Sequence, residues 1–258
     1  MDAIFRIDGA SATCGREAAG PWSEDMQHGG APASLVAWAA ERLPTLVPMH
    51  VTRLTLDLMR PVPVGRLEVD ARIVRDGKKI QLCAVSLSAG GAEVVRATAL
   101  KLRAVDQPLP ATAAMPPLDW PQPEAGRQLP PGLRITSPFV ADLDIRVIRG
   151  EIGQPGPATA WFRVQRPLVE GHANSGLMQA AVVSDFSNGV AAAVDVREWT
   201  FINGDVTLYL MRQPVGEWVL LDAQMWPSAE GRAIAFGRLA DCTGYFGRAT
   251  QSVLLERR

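Results

Sequence analysis

The chain of 258 residues is short of several things. It holds three cysteines, Cys14, Cys83 and Cys242, far apart and with no Cys-x-x-Cys pair. An odd, scattered set excludes a disulfide framework or a cysteine zinc site and fits a reducing compartment. Three histidines with no His-Glu-x-x-His spacing predict no metal centre. No run approaches 18 apolar residues, so no transmembrane helix is expected. The start, Met1-Asp2-Ala3-Ile4, lacks a positive stretch followed by an apolar one, so no signal peptide is expected and the reading is cytoplasmic. Charge of either sign is not in excess: 26 Lys and Arg against 27 Asp and Glu. No global field draws the chain to nucleic acid or an anionic membrane. A Gly-x-Ser-x-Gly elbow, a phosphate loop and a post-strand Gly-x-Gly-x-x-Gly are also missing, which leaves serine hydrolysis and nucleotide-fold chemistry without support.

What the chain does have is proline, and it is unevenly placed. Eight of the twenty prolines fall between Pro108 and Pro131. That density forbids regular ladders and predicts a semi-rigid connector. The expected organisation is an N-terminal unit over 1–105, a Pro-rich linker over 106–138 and a C-terminal unit over 139–258.

The flanking units repeat each other. Thr55-Leu56-Asp57-Leu58-Met59-Arg60 matches Thr207-Leu208-Tyr209-Leu210-Met211-Arg212 at an offset of 152, and Arg96-Ala97-Thr98-Ala99 matches Arg248-Ala249-Thr250-Gln251 at the same offset. Val64-Gly65 matches Val215-Gly216 with one residue deleted. Three matches in one order point to an internal duplication.

Each unit shows one helix and then a run of strands. The first helix is expected over Ala31–Leu43, with Pro32 in its first turn and Pro44 as its stop. Strands follow at 54–59, 67–74, 80–87 and 93–103, with a turn at Ala89-Gly90-Gly91. The second helix is expected over Ser175–Ser187, with Asn174 as cap and Asn188-Gly189 as terminator, ahead of strands at 205–212, 217–226, 232–241 and 245–255. Both helices are apolar nearly all round, the mark of an enclosed helix. The expected fold class is α+β, each unit an antiparallel sheet wrapped around a central helix.

Gln27-His28-Gly29-Gly30, Met59-Arg60-Pro61, Ser184-Asp185-Phe186, the Arg212 segment and Arg248-Ala249-Thr250-Gln251-Ser252 occur in an order that resembles the double-hotdog, type II acyl-CoA thioesterase family. The resemblance spans nearly the whole chain. It implies a duplicated hotdog fold, no cofactor, an acyl-CoA as the bound partner, and a water activated by an Asp, a Thr and a Gln of the C-terminal half. Asp185 and Gln251 match the Asp and Gln. The Thr position falls on Asn203, a departure from the family pattern, though an amide also donates and accepts hydrogen bonds.

Read by themselves, these residues leave choices open. Asp185 is the only acid between Glu170 and Asp195; it either faces solvent near the helix end or is buried with a partner, where desolvation would favour a general base. Gln251 stands opposite Ala99 in the repeat, so either it orients water or it is a surface strand residue. His28, Gly29 and Gly30 form either a flexible loop or a substrate-binding helix start whose N–H groups meet a thioester oxygen. His28 also suits a general base. Two other functions stay in play: a non-catalytic acyl-CoA binder, suggested by Asn203, and an enoyl-CoA hydratase, which would need a histidine paired with the acid and shows none beside Asp185. Exposed sheet edges would invite homo-oligomers.

Overall fold

The structure, a computed structural model, describes residues 2–129 and 137–258. Part of the expected Pro-rich linker, 130–136, lies outside the described residues. In chain order the elements are β1 (Arg6–Asp8), β2 (Ser11–Thr13), α1 (Gly30–Arg42), β3 (Met49–Leu58), β4 (Arg66–Arg75), β5 (Ile80–Ala89), β6 (Ala92–Arg103) and β7 (Arg127–Gln128). After the linker come α2 (Pro138–Ala141), β8 (Leu143–Arg149), β9 (Ala158–Val164), α3 (Gly176–Ser184), α4 (Ser187–Val190), β10 (Trp199–Asn203), β11 (Asp205–Leu210), β12 (Trp218–Ser228), β13 (Arg232–Asp241) and β14 (Gly244–Arg257).

One continuous sheet runs in the order β1-β2-β4-β5-β6-β3-β11-β14-β13-β12-β9-β8-β7, with β10 on the far part of β14. Every paired strand in it is antiparallel. The two repeats meet at its centre, where Thr55 pairs with Thr207, Leu54 with Leu208 and Leu56 with Val206. Thr55 therefore faces its own repeat equivalent, and the flanking pairs are exchanged about it across a local two-fold axis, as in an isologous dimer contact. The Thr55 and Thr207 hydroxyls lie 3.3 Å apart on that axis. The outermost described strands, β1 and β7, have three and two residues, which leaves little free ladder for a further copy.

Both long helices sit inside the curl of the sheet. Ala31, Ala33, Leu35, Val36, Ala37 and Ala40 of α1 are buried, as is α3 from Leu177 to Ser184. The two helices pack antiparallel on each other. Gly30 at the start of α1 lies against the Val182 carbonyl, and Glu41 at its end accepts a hydrogen bond from the Ser175 hydroxyl at 2.6 Å.

Several local expectations change. The second helix does not run to Ser187: it stops at Ser184 and restarts as α4. The Ser184 and Ser187 hydroxyls bond back to the Ala181 and Ser184 carbonyls, which competes with the helical ladder there. Its cap is Ser175, whose Oγ accepts from Met178 N–H. Asn174 instead ties the loop before it, accepting from Leu168 N–H and donating to Arg166 O. β9 carries no clean polar alternation, because it is buried on both sides over most of its length, while β8 alternates only over Leu143–Val147 and β10 has just five residues. The sequence reading passed over all three.

Candidate active site

A cavity of about 1210 Å³ opens between the start of α1, the α3–α4 break and the β10–β14 end of the sheet. His28, Gly29, Asp185 and Asn203 line it.

Asp185 is buried, with 5% of its surface exposed, which removes the solvent-facing reading. It caps the end of α3 and hands the chain to α4. Asn203, the last residue of β10, donates from Nδ2 to Asp185 Oδ1 at 2.9 Å. His28 Nδ1 lies 3.0 Å from Asp185 Oδ2. The histidine missing from the neighbourhood of Asp185 in the sequence is thus supplied by the other repeat, which corrects the expectation that the acid has no histidine partner. The imidazole is itself fixed by stacking between Phe139 and Phe186, with ring centres 5.0 and 4.6 Å away, and the Gly30 nitrogen lies 3.1 Å from its Nδ1.

Close approach explains the paired glycines. A Cβ on Gly29 would stand 2.5 Å from Asp185 Oδ1, so only glycine lets the carboxylate seat against the start of α1. Gly29 N–H makes no hydrogen bond to a described residue, and it lies at the positive end of a 13-residue helix.

Gln251 is placed differently from its expected water-orienting position. It is fully buried, donates from Nε2 to the Asp185 carbonyl at 3.1 Å and accepts from Asn188 N–H at 3.0 Å. Its amide clamps the break between α3 and α4 from behind, and it is not part of the cavity wall. Of the other segments behind the resemblance, Met59-Arg60-Pro61 lines the cavity, whereas Arg212 serves structure. Arg212 forms a two-pronged pair with Asp241 at 2.6 and 2.8 Å. Burial alone would raise the Asp241 carboxyl, but Arg212, the Thr243 hydroxyl and the Val215 and Thr243 N–H groups hold it below its usual range. Sequence reasoning also missed Phe139 and Phe186, which look like ordinary core residues until His28 is found between them.

Among the described residues no cluster of His, Cys, Asp and Glu could hold a metal ion. Among the described residues no helix is long and apolar enough to cross a membrane.

A duplicated hotdog with a buried Asp–His–Asn group at the mouth of an apolar cavity defines the class. Comparison with known proteins takes this further. The acyl-CoA thioesterase N-terminal domain profile matches residues 18–102 and the acyl-CoA thioesterase C-terminal domain profile matches 110–255. The chain belongs to this acyl-CoA thioesterase family and is a thioester hydrolase. No curated protein matches it in sequence. Solved structures share its fold. A hot dog fold protein of unknown function from Alicyclobacillus acidocaldarius has a TM-score of 0.78 at 19% identity, covering 99% of this chain and 97% of its own. A putative thioesterase II from Thermobifida fusca has 0.77 at 14%, covering 98% and 94%. An acyl-CoA thioesterase II from Mycobacterium marinum has 0.67 at 17%, again covering 98% and 94%.

Proposed function

We propose that the protein hydrolyses an acyl-CoA by direct attack of a water that Asp185 activates, with no covalent enzyme intermediate. The observation that carries this is a buried carboxylate at the wall of a large cavity, with the Asn203 amide donating to one oxygen and the His28 Nδ1 3.0 Å from the other. Such a group has free lone pairs for a water and little competing solvent. With its proton on Nδ1, His28 donates to Oδ2 and fixes the carboxylate plane, and Asn203 does the same at Oδ1. The water oxygen bonds to the thioester carbon while its proton passes to Asp185. Charge builds on the carbonyl oxygen, for which Gly29 N–H at the start of α1 is the donor at hand. The C–S bond then breaks, and the departing thiolate takes the proton from Asp185.

In this reading Asp185 and Asn203 are catalytic, and His28, Gly29 and Gly30 bind and orient the thioester. Gln251 is a positioning residue acting through the backbone of Asp185. Arg60, Arg232 and Arg258 line the cavity and are exposed, which supports a coenzyme arm lying toward the open end. We further read 1–105 and 139–258 as two related units sharing one such site, joined by the linker, in a reducing compartment that suits three unpaired thiols.

Release of free thiol from a panel of acyl-CoAs tests the reading. Turnover is expected from the native chain, with Asp185→Ala at least about a thousandfold slower. Unchanged release by that variant would overturn the mechanism, and tight binding without release would select the binder instead. The His28–Asp185 pair also suits proton transfer to an enoyl-CoA, and loss of enoyl absorbance under the same conditions would favour that second reading.

A further inference from the structure

The walls of the cavity change character along its length. Trp22, Met59 and Trp226 are 48%, 44% and 62% exposed and belong to its open end. Val140, Ile145, Ile152, Phe162 and Val190 also line it, yet none is more than 5% exposed. They are a buried, apolar floor side of the cavity supplied by two stretches of the C-terminal repeat, 140–162 and Val190 of α4, with Ile145 and Phe162 paired across β8 and β9. None of the five carries a polar side-chain atom.

A chain of rings sets an upper bound on the distance from the chemistry to this floor. His28 stacks on Phe186 at 4.6 Å, and Phe186 meets Phe162 at 5.0 Å. These two separations put the Phe162 ring within about 10 Å of the imidazole that touches Asp185. An extended carbon chain advances roughly 1.2 Å per bond, the same as a stretched polypeptide. About eight carbons therefore reach the floor.

Resting on the thioesterase reading, we propose that the floor built by Phe162 and Ile152 selects the acyl group: an unsubstituted hydrocarbon of about eight carbons or fewer. Longer chains meet the Phe162 ring. A chain ending in a carboxylate would have to bury its charge among five hydrocarbon side chains with nothing to pair it. The selecting groups all lie in the C-terminal repeat, while the imidazole that marks the start of the slot comes from the N-terminal one.

The experiment is the profile of kcat/KM over saturated acyl-CoAs from four to sixteen carbons, with an ω-carboxyl acyl-CoA of eight carbons beside them. The expected result is an optimum at or below about eight carbons and at least about a hundredfold discrimination against the ω-carboxyl substrate. Phe162→Leu and Ile152→Ala should move the optimum to longer chains, and Val190→Phe should move it to shorter ones. Thermal melts identify variants that fold, and the two widening changes back each other up. Graded displacement of an apolar fluorescent probe by free fatty acids of the same lengths reads the floor without turnover. Turnover that keeps rising to sixteen carbons, equal use of the ω-carboxyl substrate, or a profile unmoved in every folded variant overturns the assignment. Length-graded probe displacement without thiol release would instead sink the hydrolase reading and leave the floor standing.

Discussion

The two repeats place different side chains at the same four positions of the inner sheet face, and that difference goes with the large cavity opening beside one set and not the other. In the N-terminal repeat Gln81 pairs with Lys101, and Cys83 with Ala99. In the C-terminal repeat the equivalent pairs are Ala233 with Val253 and Ala235 with Gln251. All eight are buried. Lys101 reaches the Leu43 carbonyl at 2.8 Å and Gln81 the Pro44 carbonyl at 2.8 Å, so together they close the end of α1. In the second repeat Ala233 and Val253 are too short to do this and line the cavity instead. There the helix end is held one pair further along, by Gln251 on the Asp185 carbonyl. A long polar plug in one copy and small apolar residues in the other separate a filled half from an open one.

Moving the plug is the strongest way to break this contrast. Ala233→Gln combined with Val253→Lys should abolish turnover and probe binding in a protein that still melts cooperatively. Retained activity in that double variant would show that these positions do not control the cavity. Next in size is Gly29→Ala. A methyl 2.5 Å from Asp185 Oδ1 must displace the carboxylate, and a shift of that order should lower kcat about a hundredfold with KM little changed. If KM rises and kcat stays, Gly29 acts on binding alone.

The N-terminal side offers the counterpart. Lys101→Met leaves the part-buried Leu43 carbonyl without this donor, and should cost about 1 kcal/mol in denaturant unfolding while kcat is unchanged. A catalytic defect equal to the stability loss would tie the plugged half to the chemistry. The smallest effect concerns the outer face of the C-terminal repeat, where the linker covers the sheet. Trp161 Nε1 donates to the Pro121 carbonyl at 2.8 Å, and the Tyr245 hydroxyl bonds to Asp119. Burial, and then the bond to Asp119, push the Tyr245 phenol up to about 12. The neutral phenol is the form that the fold favours. Its contribution is complete below the ordinary tyrosine range near 10 and is lost as pH rises through about 12. An ultraviolet titration should show this late step, and Tyr245→Phe should remove it; a single early transition for both tyrosines would place the linker off the sheet.

Much of this architecture could be read along the chain. The strands that alternate cleanly, such as β4 with Leu67 and Val69 against Glu68 and Asp70, were legible because one face meets the core and the other meets water. β9 was not, since burial on both faces erases the alternation, and in β8 the alternation lasts only from Leu143 to Val147. The α3 break was hidden for a different reason. Ser184 and Ser187 are unremarkable in a helix until Gln251, brought in by a distant strand, takes the Asp185 carbonyl and the Asn188 N–H.

By itself the sequence determined the duplication, the two enclosed helices and the presence of one acid, Asp185, in an apolar segment. Those are properties of periodicity and composition, which neighbouring residues carry. The tertiary structure decided that His28 from one repeat meets Asp185 from the other, that Gln251 turns to the backbone rather than to the cavity, and that the large cavity opens beside Ala233 and Val253 rather than beside Gln81 and Lys101. Each depends on the antiparallel packing of α1 on α3 and on which residues share an inner strand register. Such contacts join groups far apart along the chain, and no local pattern encodes them.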